Sequence, residues 1–199
     1  MCQLKDYHFE TVLSYHKPSF NFLKDFLIPR NAIDKVPWYV STNNSMFDTL
    51  TKDKIVMMTR KTFTAISPQS RPLPNRINIV LTKNPSQSCF NSYKATPQLH
   101  IVKWDDLPKV LQGLPSKPVI AIGAGDLLNR ILPVASRIHG VCMIDDTRDG
   151  MRVNGNVIKH DFKIRDFTPF KWCYPENKMY LSVTFERSPT QTPTIYQND

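Results

Sequence analysis

Two short runs limit what this chain can fold into more than anything else in it. Lys54 to Thr59 reads KIVMMT, and Pro118 to Ile122 reads PVIAI. Both are apolar almost throughout and too short for a core helix. Each stops at a polar residue or a glycine that opens a helical pattern. Strands of this type lie inside a sheet, and their alternation with helices predicts a mostly parallel one covered on both faces.

Further strands are predicted at Glu10 to His16, Ile77 to Thr82, Leu99 to Val102 and Arg137 to Ile144. Phe20 to Ile28 is a poorer alternative for the first, because Lys24-Asp25 interrupts it. Met179 to Phe185 (MYLSVTF) alternates strongly and predicts a closing antiparallel strand. Short helices are expected over Ser45 to Leu50, Lys61 to Ile66 and Leu127 to Leu132, with another capped by Asp105-Asp106 and running through Leu111. RPLPN, Arg71 to Asn75, is a proline-fixed turn. The expected architecture is α/β: one domain over residues 1–187, with a mostly parallel central sheet, an antiparallel C-terminal hairpin and flanking helices. A polar, proline-bearing tail is expected over residues 188–199.

Composition narrows the class. The chain has 199 residues, enough for one sizeable core, and no apolar run approaches the roughly 20 residues that cross a bilayer. The opening MCQLKDYHFE has no apolar signal region, so an intracellular, cytoplasmic protein without a membrane partner is expected. The four cysteines are scattered and show no zinc-ligand spacing, so no metal site is expected and the thiols read as structural. A net charge of +9 favours anionic partners. The basic residues are spread out and lack the aromatic pairing of an RNA-binding sheet, which counts against nucleic acid. A phosphorylated or carboxylated small molecule suits the charge equally well.

Three places could hold such a ligand. In VIAIGAGDL a buried strand turns tightly at Gly123, Ala124 and Gly125 into a helix, where backbone N–H groups can face a phosphate. The third glycine of a full dinucleotide fingerprint is missing, and a plain turn with Asp126 as helix cap reads as well. In MMTRKTF, Arg60 and Thr62 put a cation and a hydroxyl at another helix start, and Lys83 comes after the strand INIVLT. Arg76 comes after a rigid turn, and a fixed guanidinium matches a carboxylate through two parallel hydrogen bonds.

In that order and spacing, IVMMTRKTFTAI…RPLPNRINIVLTKN resembles the core of dihydrofolate reductases. Pro37-Trp38, Phe47, IGAGDLLNRILP and MYLSVTFER agree with it, so the resemblance covers roughly Val36 to Arg187. It implies a fold of that family and NADPH-dependent reduction of 7,8-dihydrofolate to tetrahydrofolate, a step of one-carbon metabolism. Arg60, Thr62 and Lys83 would hold the adenosine phosphates of NADPH, and Gly123, Ala124 and Gly125 its pyrophosphate. Lys61, Thr82, Ile122, Asp126, Leu127 and Leu128 would complete the cofactor surface. Phe47, Ile66 and Leu73 would line the pocket for a folate-type small molecule, with Val141 beside it, Arg76 on its glutamate carboxylate and Trp38 holding an ordered water. MRVNGNVIKHDF resembles the acidic loop before the family's last hairpin, carried on an insertion reminiscent of phage-encoded members.

The chemical centre departs from the pattern. The family's catalytic carboxylate falls at Asn43, and the threonine that hydrogen-bonds it falls at Val141. An amide offers one acceptor oxygen, aims an NH2 at a donor, and carries no charge to stabilise a cationic transition state. Other departures are Ala124 in the glycine pair, Thr59 and Asn31 at glycine positions, and Leu128 for an aromatic. The reading is therefore a dihydrofolate-reductase-like protein with catalytic power much reduced or lost, unless another carboxylate, such as Asp48 or Asp146, moves into the pocket. The alternative is a non-catalytic structural or binding subunit of an assembly, such as a phage virion component, with a protein partner.

Overall fold

The computed structural model describes residues 4–17, 27–28, 44–93, 96–123, 126–144, 151–152, 155–173 and 178–189. Its frame is a single 11-stranded sheet. Strands β1 (Phe9–Lys17), β2 (Leu27–Ile28), β3 (Ile55–Thr59), β4 (Ile77–Leu81), β5 (Leu99–Val102) and β6 (Val119–Ile122) come first, then β7 (Ala135–Ile144). After these come β8 (Met151–Arg152), β9 (Phe162–Phe167), β10 (Lys171–Cys173) and β11 (Lys178–Arg187). The spatial order is β10-β11-β7-β1-β6-β3-β4-β5. From β7 to β5 every neighbouring pair is parallel. β11 lies antiparallel to β7 and closes that side, as its alternation predicts.

Among the described residues five α-helices flank the sheet: α1 (Asn44–Thr51), α2 (Arg60–Ala65), α3 (Leu107–Gln112), α4 (Asp126–Ile131) and α5 (Gly155–Asp161). Period-two alternation divides the strands cleanly between two cores. Phe9, Leu13, Ile55, Met57, Ile79, Leu81, Val119 and Ala121 point to the side packed by α3, α4 and α5. Val12, Val56, Met58, Val80, Ile120 and Ile122 point to the other, where Phe47 of α1 and Phe63 of α2 pack. Both faces are therefore apolar, which accounts for the unbroken apolar runs in β3 and β6.

Two expectations are corrected. Asp105 and Asp106 form no side-chain cap; Trp104–Asp106 is a 3-10 turn, and Asp106 has already entered helical backbone, so its side chain does not face the free N–H groups. The MRVNGNVIKHDF segment is not simply a loop: it contributes β8 and α5. Val157 and Ile158 are buried in the core, and the Arg187 guanidinium holds α5 by donating to Asp161 at 2.8 Å and to the Ala135 carbonyl at 2.8 Å. The expected C-terminal hairpin is present, with β9 and β10 both paired with β11, though the bounds of these two strands could not be read from the sequence. Exposed Ile164, Phe167, Phe170 and Trp172 hide the alternation by which such strands are recognised.

A buried carboxylate lies within the sheet itself. Glu10 of β1 is 4% exposed, with His139 Nε2 at 2.8 Å from one carboxylate oxygen and His8 Nε2 at 2.8 Å from the other. Burial pushes its pKa up, but the hydrogen bonds from His139 and His8 outweigh it and hold the carboxyl at about 2, against an ordinary 4.5. A folded value below the unfolded one means stability that is complete above the unfolded pKa and lost as pH falls through the folded one. The difference corresponds to about 3 kcal/mol. Glu10→Gln should therefore destabilise the fold by up to about 3 kcal/mol near neutral pH, and by almost nothing near pH 2. Urea unfolding of both proteins across that range checks it; a constant difference at every pH would contradict it.

Candidate functional site

Parallel register brings the candidate binding residues to one edge of the sheet. Met57 pairs with Ala121 and Thr59 with Leu81, so the C-terminal ends of β3, β4 and β6 finish almost level. The residues just past each strand then share one rim: Arg60, Lys61 and Thr62 after β3, Thr82 and Lys83 after β4, Gly123 after β6. Ligands of open α/β sheets bind at such carboxyl ends.

Local geometry tightens the rim. Thr59 ends β3 in extended backbone (φ −82°, ψ 162°), and its hydroxyl accepts the Thr62 N–H at 3.3 Å, starting α2. The Thr62 hydroxyl lies 3.2 Å from that of Thr59 and also faces Gly123. Gly123 has φ +116°, and a Cβ there would sit 2.6 Å from Thr62 Oγ1. The turn after β6 and the first turn of α2 are thus in direct contact, and only a glycine allows it. Arg60 is half-buried, while Lys61 and Lys83 are exposed. The Thr82 N–H donates to the Val102 carbonyl at 3.0 Å. Asp126 is exposed at the start of α4, but Leu127, Leu128 and Ile122 are 3%, 2% and 1% exposed, core side chains that leave only backbone for a ligand.

The second wall is built by α1 and the proline turn. Phe47, 6% exposed, and Ile66, 5% exposed, belong to the same core as Val56 and Met58, with Leu73 packed against it. Asn78, fully buried on β4, fixes the turn: its side chain accepts the Leu73 N–H at 3.0 Å and donates to the carbonyls of Leu73 at 2.9 Å and Arg76 at 3.2 Å. Arg71 donates to the Tyr93 hydroxyl at 3.0 Å and the Thr64 carbonyl at 2.8 Å, tying the turn to the end of α2. Arg76 is buried, its guanidinium 5.7 Å from the Phe47 ring centre. Its Nε donates to Thr51 Oγ1 at 2.8 Å, Nη1 to the Pro74 carbonyl at 2.6 Å, and Nη2 to the Asp48 carboxylate.

The third wall is β7 and β11. Val141, 4% exposed, packs with Tyr180 and with Met46 of α1, and the Ser182 hydroxyl donates to Met46 Sδ at 3.4 Å. The position beside the start of α1 is therefore filled by a valine methyl pair and a thioether. Trp38, Asn43, Ala124 and Gly125 lie outside the described residues, as do Asn31 and Asp146. Asp48, the carboxylate nearest Asn43 along α1, is held by Arg76. Among the described residues no cluster of His, Cys, Asp and Glu could hold a metal ion, and no helix is long and apolar enough to cross a membrane.

Sequence reading missed Thr51, Asn78 and the capping role of Thr59, and offers Asp48 as a carboxylate able to move into the pocket, where the structure makes it a partner of Arg76. Asn78 had a visible signal, a lone amide in the apolar strand INIVL. Asp48 and Thr51 had a weaker one, two polar residues three apart on α1 and hence on one helix face.

Comparison with known proteins gives a consistent picture. The family described as Dihydrofolate reductase matches residues 27–187. The chain is 27% identical over 171 residues to the bifunctional dihydrofolate reductase-thymidylate synthase of Zea mays, covering 76% of this chain and 30% of that protein. It is 31% identical over 116 residues to the dihydrofolate reductase type 3 of Salmonella typhimurium, covering 57% of this chain and 65% of that one. It thus spans less than two thirds of the length of these relatives. The fold is similar to that of the dihydrofolate reductase from Enterococcus faecalis complexed with NADP(H) and RAB-propyl, with a TM-score of 0.64 at 16% identity, covering 90% of this chain and 96% of that one.

The contact between Gly123 and Thr62 is open to a simple test. Gly123→Ala adds a methyl where none fits and forces a side chain into positive φ, so it should cost about 1–3 kcal/mol. A lower urea midpoint with unchanged slope is the expected result. An unchanged midpoint would mean that the two turns do not touch.

Proposed function

Since the chain belongs to the dihydrofolate reductase family, we propose that it binds NADPH and a folate-type ligand but transfers hydride weakly, because Asn43 stands where the catalytic carboxylate should. The observation that carries the binding half is the level rim of β3, β4 and β6, where Thr62 and Gly123 touch and Arg60, Lys61 and Lys83 supply positive charge. Gly123 fits the part of a backbone that a pyrophosphate must approach closely, and Arg60, Thr62 and Lys83 would hold further phosphate oxygens. When bound, NADPH supplies the hydride. The residues of the chain would orient the two ligands and shield them, with partly buried Leu73, backed by the core side chains Phe47 and Ile66, nearest a flat ring.

What the chain does not offer is a proton at the right place. Asn43 cannot donate one or stabilise a protonated ring, and Val141 has no hydroxyl with which to orient an acid. Acid and hydroxyl are missing together, so the loss leaves no buried hydroxyl without a partner. Turnover then depends on protons from solvent. Dihydrofolate-dependent NADPH oxidation by the purified protein should be slow at neutral pH and rise as pH is lowered. Asn43→Asp should raise it by about a hundredfold at neutral pH. Fast neutral turnover in the parent chain, unchanged by the substitution, would sink this reading.

A second reading, a binding or structural subunit with a protein partner, is favoured by one observation. Strand β9, the segment after it and β10 expose Ile164, Phe167, Phe170 and Trp172 together, at 43%, 68%, 45% and 45%. Clusters of this kind mark interaction surfaces more often than they serve catalysis.

A further inference from the structure

The Arg76 guanidinium already has partners within the chain. Its side chain is 5% exposed, whereas that of Asp48 is 65% exposed. The carboxylate is therefore the solvent-facing member of the pair, able to meet an incoming carboxylate with its own negative charge. Each of the three guanidinium nitrogens has a partner inside the chain: Thr51 Oγ1, the Pro74 carbonyl and Asp48 Oδ1. The arrangement is built from below. Thr51 is fully buried and its hydroxyl donates to the Phe47 carbonyl at 2.7 Å, which aims its oxygen at Arg76. Asn78 fixes the turn that carries Pro74 and Arg76. Asp48 lies three residues before Thr51 on α1, so both face the same guanidinium.

A carboxylate from outside would meet a cation already paired, with three of its five N–H groups engaged, and the like charge of Asp48. A cation already paired within the chain has less to give a second carboxylate, which must shed its own water and meet or displace Asp48. We infer that Asp48 acts as an internal stand-in for a ligand carboxylate, so a ligand site beside Phe47 and Leu73 selects a pteridine whose tail carries no free carboxylate. This rests on the proposed pteridine-binding role of that site and deepens it. Asp48 is then a specificity-determining residue: it sets which tail the site accepts and takes no part in the chemistry.

Folic acid and its bis(methyl ester) separate the two ideas, because they share ring and length and differ in tail charge. Titrated into the full chain at neutral pH by calorimetry, the ester should bind as tightly as the acid, within about threefold, or more tightly. In Asp48→Asn the acid should gain about tenfold while the ester changes by less than about twofold. A parent chain that prefers the acid by about tenfold or more overturns the inference and leaves the pteridine reading standing. Equal affinities for the acid in the parent and in Asp48→Asn overturn it too. If neither compound binds to either protein, the pteridine reading fails and the inference with it. The comparison of acid and ester in the parent chain needs no variant, so a folding defect in Asp48→Asn would not blunt it.

Discussion

The site depends on the parallel register of β3, β4 and β6. A one-residue slip of β3 against β6 would exchange Ile55 and Met57 with Val56 and Met58 between the two cores. It would also move Thr59 away from the level of Gly123. Register here is enforced from both faces, because both carry apolar side chains that must be buried. The same packing that stabilises the sheet by burying the apolar faces of β3, β4 and β6 thus fixes where its carboxyl ends stop. Binding geometry at the rim is a by-product of core packing. It can outlast any change at the chemical centre, since none of the core residues that set it belongs to that centre.

This separation fits the proposed reading of the site. The rim rests on backbone, on Gly123 and on the Thr59–Thr62 pair, all tied to the sheet. The acid position rests on one side chain at the head of α1, and its partner on one side chain of β7. A carboxylate beside Val141 and Met46 would lie among apolar groups, where its charge is expensive without a hydrogen-bond donor. On α1 the Asp48 carboxylate has such a donor, the buried Arg76 guanidinium.

The central sheet was legible because its strands are buried on both faces, so KIVMMT and PVIAI are apolar without interruption. The closing strand β11 was legible for the opposite reason, a regular alternation against one covered face. The β9–β10 edge was not, because its exposed aromatics imitate buried ones in a sequence. The α5 segment was mistaken for a loop because its stability comes from afar, from Arg187 donating to Asp161. At the site, the basic residues after β3 and β4 could be read from their positions after strands. Their relation to Gly123 could not, since it depends on strand order, in which β6 inserts between β1 and β3. The pairing of Arg76 with Asp48 was hidden for the same reason: a guanidinium in a sequence does not reveal whether its partner is a ligand or the chain.

The central claim is that ligand geometry has been kept while the proton source has been lost. The measurement that tests it most directly is the pH dependence of a single turnover, with NADPH and dihydrofolate prebound and hydride transfer monitored by stopped-flow fluorescence. If solvent supplies the proton, the logarithm of the rate should fall with unit slope from about pH 5 to about pH 8, with no break. A plateau that ends at a defined pKa within that range would reveal an acid of the chain at work, and would contradict the account.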